Sequence, residues 1–136
     1  MKFVSKELAI KLKNKGFDRP CFGYYFIEDK YETNLHKNIT CGGDVKNCLR
    51  ILSDEKRIDA PTIDQVLEWL REENDIDIVI YPIDRNTIYM GGEKYILSIC
   101  FCGKRDYKIH ESNNDKFVKW EDACIAGIKY VINNLI

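Results

Sequence analysis

Three stretches of the chain carry apolar residues at helical spacing. The first begins after Ser5, a suitable N-cap, and stops at Gly16. The second begins with a T-x-x-Q capping box at Thr62 and runs to Asn74. The third covers residues 119–135, where apolar residues again recur every three or four positions. The pattern therefore predicts three helices.

Two of these helices have faces that predict how they pack. Trp69 lies on the shoulder of the apolar stripe of the second helix, so we expect its side chain to pack only partly. In the third helix Ala123, Ala126 and Gly127 are small, and small residues let a helix approach a sheet or another helix closely. We expect this last helix to pack across a sheet.

Short apolar and aromatic runs between the helices are typical of β-strands. They cover residues 21–27, 31–40, 76–82, 86–90, 94–102 and 107–110. Since short turns join the later runs, their pairing is expected to be antiparallel. Residues 41–59 have no clear pattern, and both a short helix at 45–52 and a strand at 49–52 remain open. The prediction is a single α+β domain over residues 1–136, with an antiparallel sheet of about four to six strands and two or three helices on one face.

Composition narrows the function classes. The 136 residues carry 21 basic and 22 acidic side chains, which is a net charge of −1. A chain without net positive charge has no general field for a nucleic-acid backbone, so a DNA-coating role is disfavoured. Neither a membrane span nor a signal-peptide core is present in the sequence. We therefore expect a soluble, cytoplasmic protein.

The six cysteines do not have the spacing of a metal site or a disulfide framework. In a reducing compartment they are expected to be free buried thiols, with Cys100 and Cys102 facing the same side of one strand. Zinc sites usually need two short Cys or His pairs, and His36 and His110 do not complete such a set. No metal and no cofactor are expected.

No motif indicates catalysis. The chain contains no G-x-S-x-G, no H-E-x-x-H and no cysteine next to a histidine. A Gly-Gly pair at Gly42 and Gly43 precedes a mildly basic stretch with Lys46, Arg50, Lys56 and Arg57, but no phosphate-binding loop motif follows. We therefore expect a non-enzymatic protein.

Three segments of the chain together resemble a known family. They are FVSKELAIKLKNKGFDRPCFGYY, APTIDQVLEWLREEN and the C-terminal WEDACIAGIKYVINNLI, about half of the sequence. This pattern resembles a family of small phage and prophage proteins from gut Bacteroides-type bacteria. The resemblance implies an accessory protein in the cytoplasm of an infected or lysogenic host, and it carries over no catalytic residues.

The leading functional hypothesis is counter-defence by sequestering a small anionic signal molecule of the nucleotide type. Aromatic side chains can stack on a base, and arginine or lysine can bind a phosphate. The sequence offers both kinds of residue near the first strand and in later loops. The predicted ligand-binding residues are Tyr24, Tyr25, Arg50, Lys104 and Arg105.

The alternative hypothesis is a protein–protein inhibitor that binds a host factor. The second helix and its flank are strongly acidic, and acidic surfaces can meet a basic partner. The predicted partner-binding residues are Asp64, Glu68, Glu72 and Glu73. The partner is thus a small anionic ligand or a host protein, and a homo-oligomer remains open.

Overall fold

The predicted α+β class is confirmed. A computed structural model of the chain describes residues 2–27, 35–37, 57–82, 95–104, 108–111 and 117–136. Within these residues there are three helices and two three-stranded antiparallel sheets. The chain divides into two compact units, Met1–Gln65 and Val66–Ile136, which are described separately below. The single domain expected from the sequence stays a prediction.

The first unit combines one helix with one small sheet. Its elements are α1 (Lys6–Asn14), β1 (Gly23–Phe26), β2 (His36–Lys37) and β3 (Arg57–Ala60). The strand order is β2-β1-β3, and both pairings are antiparallel. Helix α1 packs against β3. This packing buries the apolar stripe of α1, including Leu8 and Leu12, in the core of the unit.

Helix α1 begins and ends where its sequence predicts. The Ser5 hydroxyl accepts a hydrogen bond from the Leu8 amide at 3.3 Å, which satisfies one of the free N–H groups of the first turn. After the helix, Gly16 has a φ of +90°, a left-handed conformation that favours glycine. The predicted cap and stop are both confirmed.

The second helix, α2 (Ile63–Asn74), has the predicted capping box. The Thr62 hydroxyl accepts from the Gln65 amide at 3.3 Å, and the Gln65 side-chain oxygen accepts from the Thr62 amide at 3.0 Å. The boundary between the two units falls inside this helix, after Gln65.

The expectation for Trp69 is wrong. Its side chain is only 3 % exposed, although the sequence predicted partial packing. Leu70, the next residue, is fully buried too. The buried stripe of α2 is therefore wider than its aliphatic residues alone suggested, and a large ring at its edge can be enclosed within it.

The second unit contains the other sheet and the last helix. Its elements are β4 (Ile76–Pro82), β5 (Tyr95–Phe101), β6 (Lys108–Glu111) and α3 (Trp120–Asn134). The order β4-β5-β6 makes β5 the central strand, as its apolar sequence predicts. Helix α3 packs across β4 and β5, which confirms the expected position of the last helix.

The arrangement differs from the sequence prediction in three places. The strands form two sheets instead of one, because β3 pairs back onto β1 and leaves β4 to begin another sheet. Strand β3 falls in a region where no strand was predicted. Strand β5 ends at Phe101, so Cys102 lies in the following turn and not in the strand.

Several predicted segments lie outside the described residues. They are the strand at 86–90, most of the strand at 31–40 and residues 41–56. Within the ranges that the structure does describe, none of the helices has the length and apolar character needed to cross a membrane.

Candidate functional site

The outer face of the first sheet carries an aromatic–arginine cluster formed by Tyr24, Phe26 and Arg57. Tyr24 and Phe26 are two residues apart on β1, so their side chains share one face of the strand. Their rings meet edge to face, with centroids 5.5 Å apart. Arg57 is the cross-strand partner of Phe26 in β3. The antiparallel register thus places the Arg57 guanidinium over the rings of Tyr24 and Phe26.

The guanidinium of Arg57 stacks over this pair of rings. Its central carbon lies 4.8 Å from the Tyr24 centroid and 5.3 Å from the Phe26 centroid, within the range of cation–π contacts. The Nε atom is buried, and among the described residues no hydrogen-bond partner meets it. A stacked guanidinium keeps its N–H groups in the plane of the group, where they can form a fork around a carboxylate or phosphate.

A second cation lies at the same end of β1. The Lys6 side chain is only 8 % exposed, and its ammonium donates to the Ile27 carbonyl at 3.1 Å. A buried lysine needs such a partner, because desolvation penalises an isolated charge. The end of β1 is therefore bordered by cationic side chains, although the strand itself carries none.

Tyr25 does not share the outer face. It is 5 % exposed, and its hydroxyl donates to the Val4 carbonyl at 2.7 Å in the interior of the first unit. This placement follows from strand alternation, since Tyr25 lies between the two outward residues of β1. Of the aromatic residues predicted to bind a ligand, only Tyr24 lies on the outer face.

We expect Tyr25→Phe to lower the free energy of unfolding by about 1–2 kcal/mol, because a buried carbonyl loses its hydrogen bond. Tyr24→Phe, which removes the same atom from the outer face, is expected to change it by less than about 0.5 kcal/mol. Urea denaturation of both variants measures the difference. Equal losses would contradict the separate roles assigned to the two tyrosines.

Of the three predicted basic residues, Lys104 alone lies within the described part of the chain. Lys104 is exposed in the turn after β5, where its amide donates to the Phe101 carbonyl at 3.0 Å. It belongs to the second unit, whereas Tyr24 belongs to the first. Arg50 and Arg105 lie outside the described residues.

The predicted acidic residues all lie on helix α2, and all four are exposed. They are Asp64, Glu68, Glu72 and Glu73. Asp64 is in the first turn, where a carboxylate stabilises the positive end of the helix dipole. The acidic surface predicted for a protein partner therefore faces outward, while the partner itself stays a prediction.

A small cavity of about 210 Å³ lies beside the first sheet and is lined by Ala9, Lys13, Phe17, Asp18 and Asp59. Burial raises the pKa of the Asp59 carboxyl above its ordinary value, and the Lys13 ammonium acts in the opposite direction. The cavity contains both signs of charge, so it does not select an anion. This makes it a weaker candidate for an anionic ligand than the aromatic–arginine cluster.

The four described cysteines are free thiols, and Cys21, Cys100 and Cys124 are buried as expected, whereas Cys102 is only half-buried. Cys41 and Cys48 lie outside the described residues. Burial, with a smaller contribution from the Asp59 carboxylate, raises the pKa of Cys21 to about 12. A thiol of this kind stays protonated at neutral pH and is a poor nucleophile.

His110 has a defined aromatic partner. The His110 ring stacks on Tyr130 of α3, with centroids 3.9 Å apart and planes inclined by 15°. Across the described ranges, no three His, Cys, Asp or Glu side chains are grouped so that they could hold a metal ion. The expectation of a protein without metal or cofactor stays a prediction.

Arg57 is the residue that sequence reasoning did not select. It was noted only as part of a basic stretch without a predicted fold. A usable signal was present, because residues 57–60 alternate between polar and apolar positions as a half-buried strand does. Four residues are too few to identify a strand with its partner, so the contact with Tyr24 could not be predicted.

Comparisons with protein-family models, with curated proteins and with solved structures yield no match to this chain. The resemblance to phage and prophage proteins therefore stays a prediction.

Proposed function

We propose that the protein is a non-enzymatic binding protein that holds a small anionic ligand of the nucleotide type on its aromatic–arginine cluster. The observation that carries the proposal is the Arg57 guanidinium stacked on the Tyr24 and Phe26 rings. The cluster combines the two chemistries that a nucleotide needs, since aromatic faces stack on bases and a guanidinium binds phosphate.

The geometry supports binding more than a purely structural role for Arg57. Its contacts to the rings lie on the outer face of the sheet, opposite the side where Tyr25 enters the core. A purely structural arginine would need only to cover the rings, and the N–H donors in the plane of its guanidinium would add little to stability. Placed on the rings, the guanidinium is held ready for an anion at a low cost in conformational entropy.

The biological role that we propose for this binding is sequestration of the ligand. A protein of phage or prophage origin that traps a host nucleotide signal would lower the free concentration of that signal without chemical change. Such a role needs affinity and no catalytic group, which agrees with the lack of a catalytic motif in the sequence. The host protein inhibitor remains the alternative.

The test is a thermal-shift series with adenosine 5′-monophosphate, cyclic AMP, cyclic di-AMP and ADP-ribose. A ligand at a hundredfold excess over its Kd adds about 2.7 kcal/mol to the free energy of unfolding, and Tm rises accordingly. We expect at least one probe to stabilise the protein. We expect Arg57→Ala to lower the affinity for that probe tenfold or more, because a charged hydrogen bond contributes about 1.5–3 kcal/mol.

Arg71→Ala is the matched control, since it removes the same side chain from a half-exposed position in the second unit. It is expected to retain full affinity, and circular dichroism establishes that both variants fold. The proposal is wrong if none of the probes changes Tm, or if Arg57→Ala binds the active probe as tightly as the wild-type protein.

A further inference from the structure

Asp59 adds a carboxylate to the outer face of the first sheet, beside the aromatic–arginine cluster. It is the cross-strand partner of Tyr24, and it follows Arg57 by two residues on β3. Directly opposed residues of an antiparallel pair share one face, with Cβ atoms about 5 Å apart. Residues two apart on a strand also share a face and lie about 7 Å apart. The Asp59 side chain therefore begins next to both Tyr24 and Arg57.

The same residue borders the cavity of about 210 Å³ in the first unit. Ala9 and Lys13 line this cavity from α1, where they lie one helical turn apart on the same side. Phe17 and Asp18 line it from the segment after α1, which is held in place because the Phe17 amide donates to the Leu12 carbonyl at 3.0 Å. Pockets that enclose a whole small molecule measure about 300–1,000 Å³, so this cavity suits one part of a ligand.

The charged residues of the cavity are accessible to a ligand. Lys13, Asp18 and Asp59 are exposed, whereas Ala9 and Phe17 are buried and form an apolar wall. Burial raises the pKa of the Asp59 carboxyl and the Lys13 ammonium opposes this effect, so the two groups are close enough to interact. Yet no ion pair within 4.0 Å joins them in the described part of the chain. The carboxylate and the ammonium are thus both available to a ligand.

These groups match the hydroxyls of a sugar. A hydroxyl both donates and accepts, whereas a carboxylate only accepts and an ammonium only donates. Two neighbouring hydroxyls can therefore donate to a carboxylate of the cavity and accept from Lys13. A phosphate fits less well, because the carboxylates of Asp18 and Asp59 would repel it.

We propose that this cavity holds the ribose of the nucleotide ligand, and that the Asp59 carboxylate accepts hydrogen bonds from the 2′- and 3′-hydroxyls. The inference rests on the proposed function, and it narrows the ligand class to a ribonucleotide with a free 2′,3′-diol. The base then lies on Tyr24, the ribose at Asp59 and the phosphate at Arg57. This order follows the covalent order of the ligand, since Asp59 and Arg57 are two residues apart on β3.

Two ligands that differ only in the diol test this assignment on the wild-type protein. Calorimetry should give an affinity about ten- to hundredfold higher for adenosine 5′-monophosphate than for its 2′,3′-dideoxy analogue, because the analogue cannot donate to a charged acceptor. Cyclic AMP and cyclic di-AMP, in which the 3′-oxygen is esterified, should also bind more weakly than adenosine 5′-monophosphate.

Variants of Asp59 assign the discrimination to its carboxylate. Asp59→Ala should lower the affinity for adenosine 5′-monophosphate to that for the dideoxy analogue, whereas Asp59→Asn should keep part of the difference, because its uncharged oxygen accepts more weakly. Glu7→Gln, which neutralises an exposed carboxylate of α1 outside the cavity, is the matched control and should keep the wild-type ratio. Circular dichroism establishes that the variants fold. A purely structural role for Asp59 would leave the ratio of the two affinities unchanged.

Equal affinities of the wild-type protein for the two nucleotides would overturn the ribose assignment and leave the proposed function intact. An unchanged ratio in Asp59→Ala would overturn it too, as would tighter binding of a cyclic probe than of adenosine 5′-monophosphate. If no nucleotide binds, the proposed function itself fails, and the ribose assignment fails with it.

Discussion

Gly127→Val is expected to lower the free energy of unfolding by about 2–3 kcal/mol, at the upper end of what overpacking costs. A Cβ at this position of α3 would lie 2.8 Å from Ile78 Cγ2 and 2.8 Å from Leu97 Cδ1. Both neighbours are buried in the sheet, with 5 % and 2 % exposure, so they cannot move into solvent. The helix would have to move away from β4 and β5.

Helix propensity alone predicts the opposite sign. Inside a helix, glycine is less favourable than every residue except proline, so its replacement should stabilise α3. The expected decrease in the free energy of unfolding would therefore result from the close approach of α3 to β4 and β5. Ala126→Val is the matched control, because Ala126 is a half-buried neighbour on the same helix. Urea denaturation measures both variants, and a stabilising effect of Gly127→Val would contradict the packing described here.

The second large effect is a loss of stability in alkali that depends on Cys21. The pKa of this thiol rises from 9.0 to about 12 in the folded protein, first because of burial and second because of the Asp59 carboxylate. Between these two values the unfolded chain loses the thiol proton while the folded chain keeps it. The folded state then binds more protons, so the free energy of unfolding falls as the pH rises through this window.

The slope contributed by one such group approaches about 1.4 kcal/mol per pH unit, which amounts to about 2 kcal/mol at pH 10.5. We expect Cys21→Ala to remove this contribution and to flatten the profile above pH 9. The measurement is the difference between the wild-type and variant urea curves at a series of pH values, in which the titration of lysines and tyrosines cancels. Parallel profiles above pH 9 would show that Cys21 ionises freely in the folded protein.

The aromatic residues of β1 and the arginine of β3 differ in how far the sequence could predict their place in the candidate site. Tyr24 was selected because aromatic residues cluster in the first strand, and it does lie on the outer face. Tyr25 was selected for the same reason, yet it enters the core. Alternation along a strand separates the two residues, but which of them faces inward depends on the side that α1 covers, and local sequence does not contain that information.

Arg57 was missed for a related reason. Its strand is four residues long, and its partner β1 lies more than thirty residues earlier in the chain. Pairing between distant short strands is decided by the burial of Ile58 and Ala60 against the rest of the first unit, and not by the propensity of residues 57–60. The functional contact therefore appears only when the register of β1 and β3 is known.

The sequence by itself determined the local elements that carry strong signals. Caps at Ser5 and Thr62 predicted where two helices begin, and an apolar run predicted the central strand β5. These signals are local, because a cap or a periodic stripe acts within a few residues of the backbone. Only the tertiary structure decided that the strands form two sheets and that Arg57 stacks on Tyr24. Each of these depends on contacts between residues distant in the chain, which burial and strand register select together.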